Sequence, residues 1–174
     1  MVQILPIPPK VKGRLKRPIE VVIAFGCNIG NCQKQIETAI RLVKKEVYLR
    51  GVSPVYRSKP YGVTNQPDFY NGILYGFTRL KPYALLRFLK EVEKRVGRKE
   101  RCRWCEREID LDIVYYGKLF VEFEDLKIPH PDRLNRDFVL IPASWLLPTW
   151  EDTLLKRTVK VLARRFLKFR REAL

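Results

Sequence analysis

Glu108-Ile109-Asp110-Leu111-Asp112-Ile113-Val114-Tyr115-Tyr116 is the stretch on which the fold assignment turns. Apolar and acidic residues alternate through its first half with the two-residue period of a strand. Ile109, Leu111 and Ile113 therefore share one face, and Asp110 and Asp112 share the other. Upstream, Glu20–Phe25 is rich in β-branched residues and predicts a strand ended by Gly26. Asn31 can cap a helix in which Ile36, Ala39, Ile40, Val43 and Val47 recur at helical spacing, with Gly51 as its stop. Val52–Arg57 and Phe69–Phe77 predict two further strands. Pro82 opens a second helix lined by Leu85, Leu89, Val92 and Val96 and closed by Gly97. The order strand, helix, strand, strand, helix, strand predicts an α+β fold, a ferredoxin-like α/β sandwich whose mainly antiparallel sheet carries helices packed on it.

Further along, Gly117-Lys118 predicts a hairpin into Leu119–Glu122, and Asp137–Leu147 a third helix. Leu155, Val159, Leu162, Phe166 and Phe169 form a stripe that predicts a helix over residues 152–171. The organisation expected is a basic extended arm over 1–18, one catalytic domain over 19–150, and a basic amphipathic helix over 151–174 packed on that domain.

The chain has 174 residues, 46% hydrophobic and 31% charged, a globular composition of one-domain size. No apolar run reaches the roughly 18–20 residues that span a bilayer, and no secretory signal is evident, so a cytoplasmic protein is expected. The net charge of +16 raises the question of a nucleic-acid or membrane partner, but ten of those charges sit in the two ends. The remainder is only moderately basic, which suits a polyphosphate substrate. A basic tail helix lying on a membrane surface is the alternative for the C-terminal stripe. Four cysteines form two close pairs, Cys27/Cys32 and Cys102/Cys105, and are expected as free thiols rather than a metal site or disulfides.

Asp110 and Asp112 on one strand face would have Cα atoms about 6.6–6.8 Å apart, close enough to hold hard cations between their carboxylates. Mg²⁺ favours one or two carboxylates together with substrate phosphates, so this pair suits it. The bland reading is a solvated acidic strand face. Just upstream, Arg98, Arg101, Arg103 and Arg107 crowd a polar loop with Trp104, and Arg136 and the sole histidine, His130, follow downstream. Guanidinium groups match phosphate oxygens two at a time, so arginines beside a metal-binding strand suit phosphoryl transfer.

The ordered motifs resemble the hydroxymethyldihydropterin pyrophosphokinase family over residues 20 to 150. They are Gly26-Cys27-Asn28-Ile29-Gly30, Ser53-Pro54-Val55-Tyr56, Gln66-Pro67-Asp68-Phe69-Tyr70-Asn71, Gly97-Arg98, Arg103-Trp104, Asp110-Leu111-Asp112, Ile128-Pro129-His130-Pro131 and Arg136-Asp137-Phe138. The resemblance implies transfer of diphosphate from ATP to the hydroxymethyl group of 6-hydroxymethyl-7,8-dihydropterin in folate synthesis, releasing AMP. It implies two Mg²⁺ ions on Asp110 and Asp112, with Arg98 and Arg107 closing on the transferred group. Phe69 and Phe138 match stacking aromatics, Asn71 matches a reader of the pterin edge, and Ser58, Lys59, Tyr61, Gly62 and Trp104 match its surroundings. Glu93, Arg103, Trp104, Ile113, His130 and Arg136 match nucleotide contacts. Where the family loop reads Trp-Gly-Pro-Arg, this chain has Trp104-Cys105-Glu106-Arg107, and it carries Glu100, Asp125 and Lys127 at positions often Arg or Thr. Cys27 and the loop cysteines fall near the implied site, where oxidation could tether the loop. The partners expected are the two small molecules, without nucleic acid or membrane, for a monomer or weak homo-oligomer. The rival readings are a basic RNA-binding module of the same architecture and a catalytically weakened homologue.

Overall fold

β1 runs over Arg14–Cys27, and its side chains alternate between two cores. Val21, Ile23, Phe25 and Cys27 enter one cluster, and Val22 and Ala24 enter the other. The computed structural model describes residues 14–60, 65–103 and 105–172. β1 is followed by α1 (Cys32–Val43), β2 (Val47–Val52), β3 (Tyr56–Ser58), β4 (Phe69–Leu80) and α2 (Pro82–Val96). Then come β5 (Asp110–Tyr116), β6 (Val121–Glu122), β7 (Lys127–Ile128), α3 (Asp137–Leu146) and α4 (Val159–Glu172).

The main sheet has the order β2-β4-β1-β5, with β3 also on β4, and every pairing is antiparallel. This is the ferredoxin-like arrangement expected from the element order. β1 lies in the middle, so both its faces must be covered. α1 and α2 contribute Ile36, Ala39, Val43, Leu85, Leu89 and Val92 to the core on one face. α3 and α4 contribute Val139, Leu140, Ala143, Val159 and Ala163 to the core on the other. Among the described residues, no helix is long and apolar enough to cross a membrane.

Several local expectations are corrected. α1 ends at Val43 rather than Gly51, because Lys44, Lys45 and Glu46 bond back onto its last turn. Pairing with β4 then claims Val47–Val52 as a strand, with Gly51 inside it against Leu146. The strand expected over 52–57 is broken at Ser53, whose hydroxyl accepts the Ile73 N–H at 2.8 Å. Leu119–Glu122 makes no hairpin with β5. Gly117 turns the chain at φ +52°, and β6 pairs with β7 instead.

At the N-terminal end, residues 14–18 extend β1, held by Arg79, which donates to the carbonyls of Leu15 and Lys16. The rest of the expected basic arm, residues 1–13, lies outside the described residues. The last helix starts at Val159 rather than 152, because 151–158 closes its own loop through Asp152 N–H to Arg157 O at 2.8 Å. Leu155 is therefore exposed rather than part of the packed stripe, and the Phe169 side chain lies outside the described residues.

The cysteines also depart from expectation. The described structure has two disulfides, Cys27–Cys32 and Cys102–Cys105, and no free thiol among its described residues. Both are local, joining Cα atoms 5.7 and 5.1 Å apart, so neither ties the arginine loop to the domain.

Candidate active site

One rung across the sheet builds the floor of the site. Tyr56 on β3 lies opposite Asn71 on β4, Asn71 opposite Gly26 on β1, and Gly26 opposite Asp110 on β5. Because Gly26 has no side chain, the rung is hollow at its centre. A Cβ there would come within 2.5 Å of Asn71 Oδ1. Over this hollow lies a cavity of about 230 Å³, lined by Gly26, Ser58, Phe69, Asn71, Arg103, Arg107, Asp110, Asp112, His130, Arg136 and Phe138. Ten of the residues expected at the site thus converge from β3, β4, β5, the loop before β5, the turn after β7 and α3.

The two halves of the cavity differ chemically. On one side are the rings of Phe69 and Phe138 and the Asn71 amide, whose Nδ2 is buried without a hydrogen-bond partner among the described residues. A buried amide left unpaired costs on the order of 1–3 kcal/mol, so such a group at a cavity wall points to a ligand that accepts its hydrogen bond. On the other side stand the two aspartates amid arginines. Asp110 accepts from Arg98 and Arg107, both at 3.0 Å, and Arg136 lies 3.9 Å from Asp112. Burial, then the neighbouring Asp110 charge, pushes the Asp112 carboxyl up to about 8. Two carboxylates that resist joint ionisation favour a cation between them. Among the described residues no three His, Cys, Asp or Glu converge on one point, so a cation here would complete its shell with water or phosphate oxygens, as Mg²⁺ does.

Sequence-local reasons place each of these groups. The Asp110/Asp112 alternation holds as far as Ile113. Between Ile113 and Tyr115 the β1–β5 register then slips, leaving Val114 without a cross-strand partner. The carbonyl of Val114 instead accepts the His130 N–H at 3.0 Å, which brings the turn after β7 to the cavity. Burial, then Arg136, pushes the His130 imidazole down to about 4. It is therefore neutral near pH 7. Its Nδ1 accepts the Asp132 N–H at 3.2 Å, which assigns the ring proton to Nε2. Arg136 lies 5.4 Å from the centre of the Phe138 ring.

Other expected residues sit elsewhere. Gly97, at φ 114°, caps α2 and turns Arg98 back to Asp110 and to Glu93 at 2.9 Å. Arg98 and Glu93 line a neighbouring cavity of about 450 Å³, separated from the first by Arg103 and Arg107, which border both. Glu93 is buried, and its Oε2 also accepts the Leu111 N–H at 2.7 Å. Burial, then the Asp110 charge, raises its carboxyl to about 7. It is committed to bracing the strand and the loop. Ile113, expected beside adenine, is buried in the core on the opposite face of β5 and does not line the cavity. Lys59 lines a shallow depression with Arg57 and Asp68. Tyr61, Gly62 and Trp104 lie outside the described residues.

Reading the sequence missed two supports of the site. Asn28, noted only as part of the glycine turn, is buried and bonds the loops on both sides of the cavity. Its polarity between apolar neighbours is the one signal that could have marked it. Arg133 and Asp152 form a buried ion pair behind His130, and nothing in their spacing announces it.

A family model described as 7,8-dihydro-6-hydroxymethylpterin-pyrophosphokinase matches residues 22–148. The chain is 37% identical to a 2-amino-4-hydroxy-6-hydroxymethyldihydropteridine pyrophosphokinase of Aquifex aeolicus, over 80% of this chain and 88% of that one. It is 39% identical to the folic acid synthesis protein FOL1 of Dictyostelium discoideum over 75% of this chain. It spans only 20% to 27% of the length of that protein and of two Arabidopsis thaliana folate synthesis bifunctional proteins. In fold it is similar to a Plasmodium falciparum HPPK-DHPS crystal structure, with a TM-score of 0.75 and 15% identity, covering 94% of this chain and 46% of that one.

Proposed function

The chain belongs to the 7,8-dihydro-6-hydroxymethylpterin-pyrophosphokinase family, and from that premise we propose that it transfers diphosphate from ATP to 6-hydroxymethyl-7,8-dihydropterin in folate synthesis, giving AMP and the pterin diphosphate. The observation that carries this reading is the two-sided cavity, with aromatic rings and an unpaired amide facing paired carboxylates ringed by arginines.

In this reading Phe69 and Phe138 stack on the flat pterin, supplying area and setting its plane. Asn71 Nδ2 donates to an acceptor on the pterin edge, which satisfies its otherwise costly burial. That places the hydroxymethyl group toward Asp110 and Asp112. These two carboxylates would hold two Mg²⁺ ions, which when bound lower the pKa of the hydroxyl and neutralise phosphate charge. Arg98 and Arg107, already directed at Asp110, supply guanidinium charge to the transferred group. Neutral His130 donates through Nε2–H to a phosphate oxygen, and Arg136 adds a planar fork beside it. The pterin hydroxyl oxygen attacks the β-phosphorus in line as its proton passes to water, the bond from the β-phosphorus to the bridging oxygen breaks, and AMP leaves with that oxygen. With the bounds corrected above, the chain organisation proposed is a basic arm ahead of β1, one catalytic domain, and α4 packed on it. We also propose a cytoplasmic protein acting on two small molecules, as a monomer or weak homo-oligomer.

The test is AMP formation from ATP and 6-hydroxymethyl-7,8-dihydropterin. AMP and pterin diphosphate are expected only when both substrates and Mg²⁺ are present. Turnover that yields ADP, or that ignores the pterin, overturns the reading.

A further inference from the structure

Behind the turn that carries His130 and Arg136 lies a buried ion pair that touches neither the cavity nor solvent. Arg133 is 3% exposed and Asp152 0%. The Arg133 fork meets the Asp152 carboxylate at 2.6 and 2.9 Å, through Nε and Nη2. Its remaining terminal nitrogen donates to the His130 carbonyl at 3.1 Å, and its own backbone N–H reaches the same carbonyl at 3.2 Å. Asp152 is in turn fully engaged. It accepts the Tyr115 hydroxyl and the N–H groups of Leu154 and Leu155, the last two at 3.0 Å.

We propose that Arg133 and Asp152 are a positioning pair that fixes the orientation of His130 and Arg136 toward the phosphates of the nucleotide. The proposal rests on the ATP-dependent reading above, and it adds residues that would act through others rather than on substrate. Two features argue for positioning over bulk stability. A buried ion pair contributes little net stability compared with apolar residues of the same size, but its planar fork fixes direction. In addition, the one guanidinium nitrogen left outside that fork is aimed at one backbone atom, the His130 carbonyl, at the start of the turn that leads to Arg136. His130 is thus held from both ends of its own backbone, by Val114 on β5 through its N–H and by Arg133 through its carbonyl. Asp152 anchors this arrangement from beyond the segment that the family model matches.

Asp152→Asn and Arg133→Lys test the proposal in the full chain, each first shown to be folded by circular dichroism. Affinities for a non-hydrolysable ATP analogue with Mg²⁺ and for the pterin are measured by calorimetry. Because His130 is the only histidine, its two ring nitrogens give unambiguous ¹⁵N signals that report the tautomer. The expected result in either folded variant is a loss of about tenfold in nucleotide affinity, the size of one charge-assisted hydrogen bond. Pterin affinity should stay within about twofold, and the ring signals should move from a single Nε2–H form toward an average. Unchanged nucleotide affinity with an unchanged imidazole, or equal loss of both affinities, overturns the proposal. If one variant does not fold, the other decides by the same readouts. A wild-type protein that binds no nucleotide sinks the pyrophosphokinase reading instead, and the imidazole signals then still decide whether the pair orients His130.

Discussion

Asn28 and Arg107 hold each other by two hydrogen bonds across 79 residues of sequence: Asn28 N–H donates to Arg107 O at 3.1 Å, and Asn28 Oδ1 accepts Arg107 N–H at 2.8 Å. The same side chain reaches the segment that leads into Phe69, where Nδ2 donates to Gln66 Oε1 at 2.6 Å. Since neither disulfide ties the arginine loop to the domain, Asn28 is a principal restraint on where Arg107 stands. Asn28→Ala should leave buried groups unpaired and cost about 2 kcal/mol. For a domain this size that lowers the melting temperature by roughly 4–8 °C. The turnover number should fall about tenfold or more, as Arg107 loses its fixed place. Calorimetry and a steady-state AMP assay check both; a variant with wild-type turnover would show that the loop is placed by other contacts.

Gly26→Ala tests the hollow rung. The added methyl would press on Asn71 Oδ1, a short side chain with little room to yield. The expected result is an increase in pterin KM of about tenfold, with the ATP KM changed by less than about threefold, because one displaced hydrogen bond is worth roughly 1–2 kcal/mol. An effect on both substrates alike would mean that the substitution disturbs β1 itself.

Asp112→Asn should separate function from stability. It removes one of two adjacent carboxylates in a partly enclosed site, relieving the repulsion and burial that raise the Asp112 carboxyl. Without metal, the variant should melt at least as high as wild type, by roughly 2–4 °C if the relief is worth about 1 kcal/mol. Mg²⁺-dependent turnover should nevertheless drop by at least about a hundredfold, since charge stabilisation at the transferring group is a large catalytic contribution. A simultaneous loss of stability and activity would instead make Asp112 a structural residue.

Acid stability follows from Asp152. Burial alone would raise its carboxyl, but the Arg133 fork and the Tyr115 hydroxyl outweigh burial and lower it to about 2. A depressed folded value means that the contribution is complete above the ordinary aspartate value near about 4, and is lost as pH falls toward the folded value. The size is on the order of 2 kcal/mol. Urea unfolding between pH 5 and about 2 should show this loss in wild type. Asp152→Asn should be less stable at pH 5, with the gap to wild type closing by the acid end of that range.

Much of this architecture is legible along the chain, and the exceptions have physical causes. The Asp110/Asp112 alternation, the Gly97 stop and the Pro82 start each express a local preference that nothing in the fold opposes. Val47 and Gly51 mislead because a helical repeat continues by chance into a segment that β4 captures by pairing. Ile113 illustrates a different limit: its place in the core follows from strand alternation, whereas its expected contact with adenine rests on family likeness alone. The cysteine pairs could not be read as disulfides, since spacing does not report the turn geometry that closes them. Arg133–Asp152 and Asn28–Arg107 are long-range partnerships of single polar residues, and no periodicity marks such pairs in advance.

The position of Asp152 has a practical corollary. The stretch recognised as pterin pyrophosphokinase ends at residue 148, whereas the carboxylate that neutralises Arg133 comes after it. Trimming the polypeptide to its recognisable portion would remove that counter-charge together with Trp150, Val159 and Ala163, which pack the core beside α3, and is expected to destabilise what is left. The smallest piece expected to stay folded is therefore longer than the piece that carries the family signature, and any excision meant to keep the protein intact has to reach into α4, whose Val159 and Ala163 belong to the core.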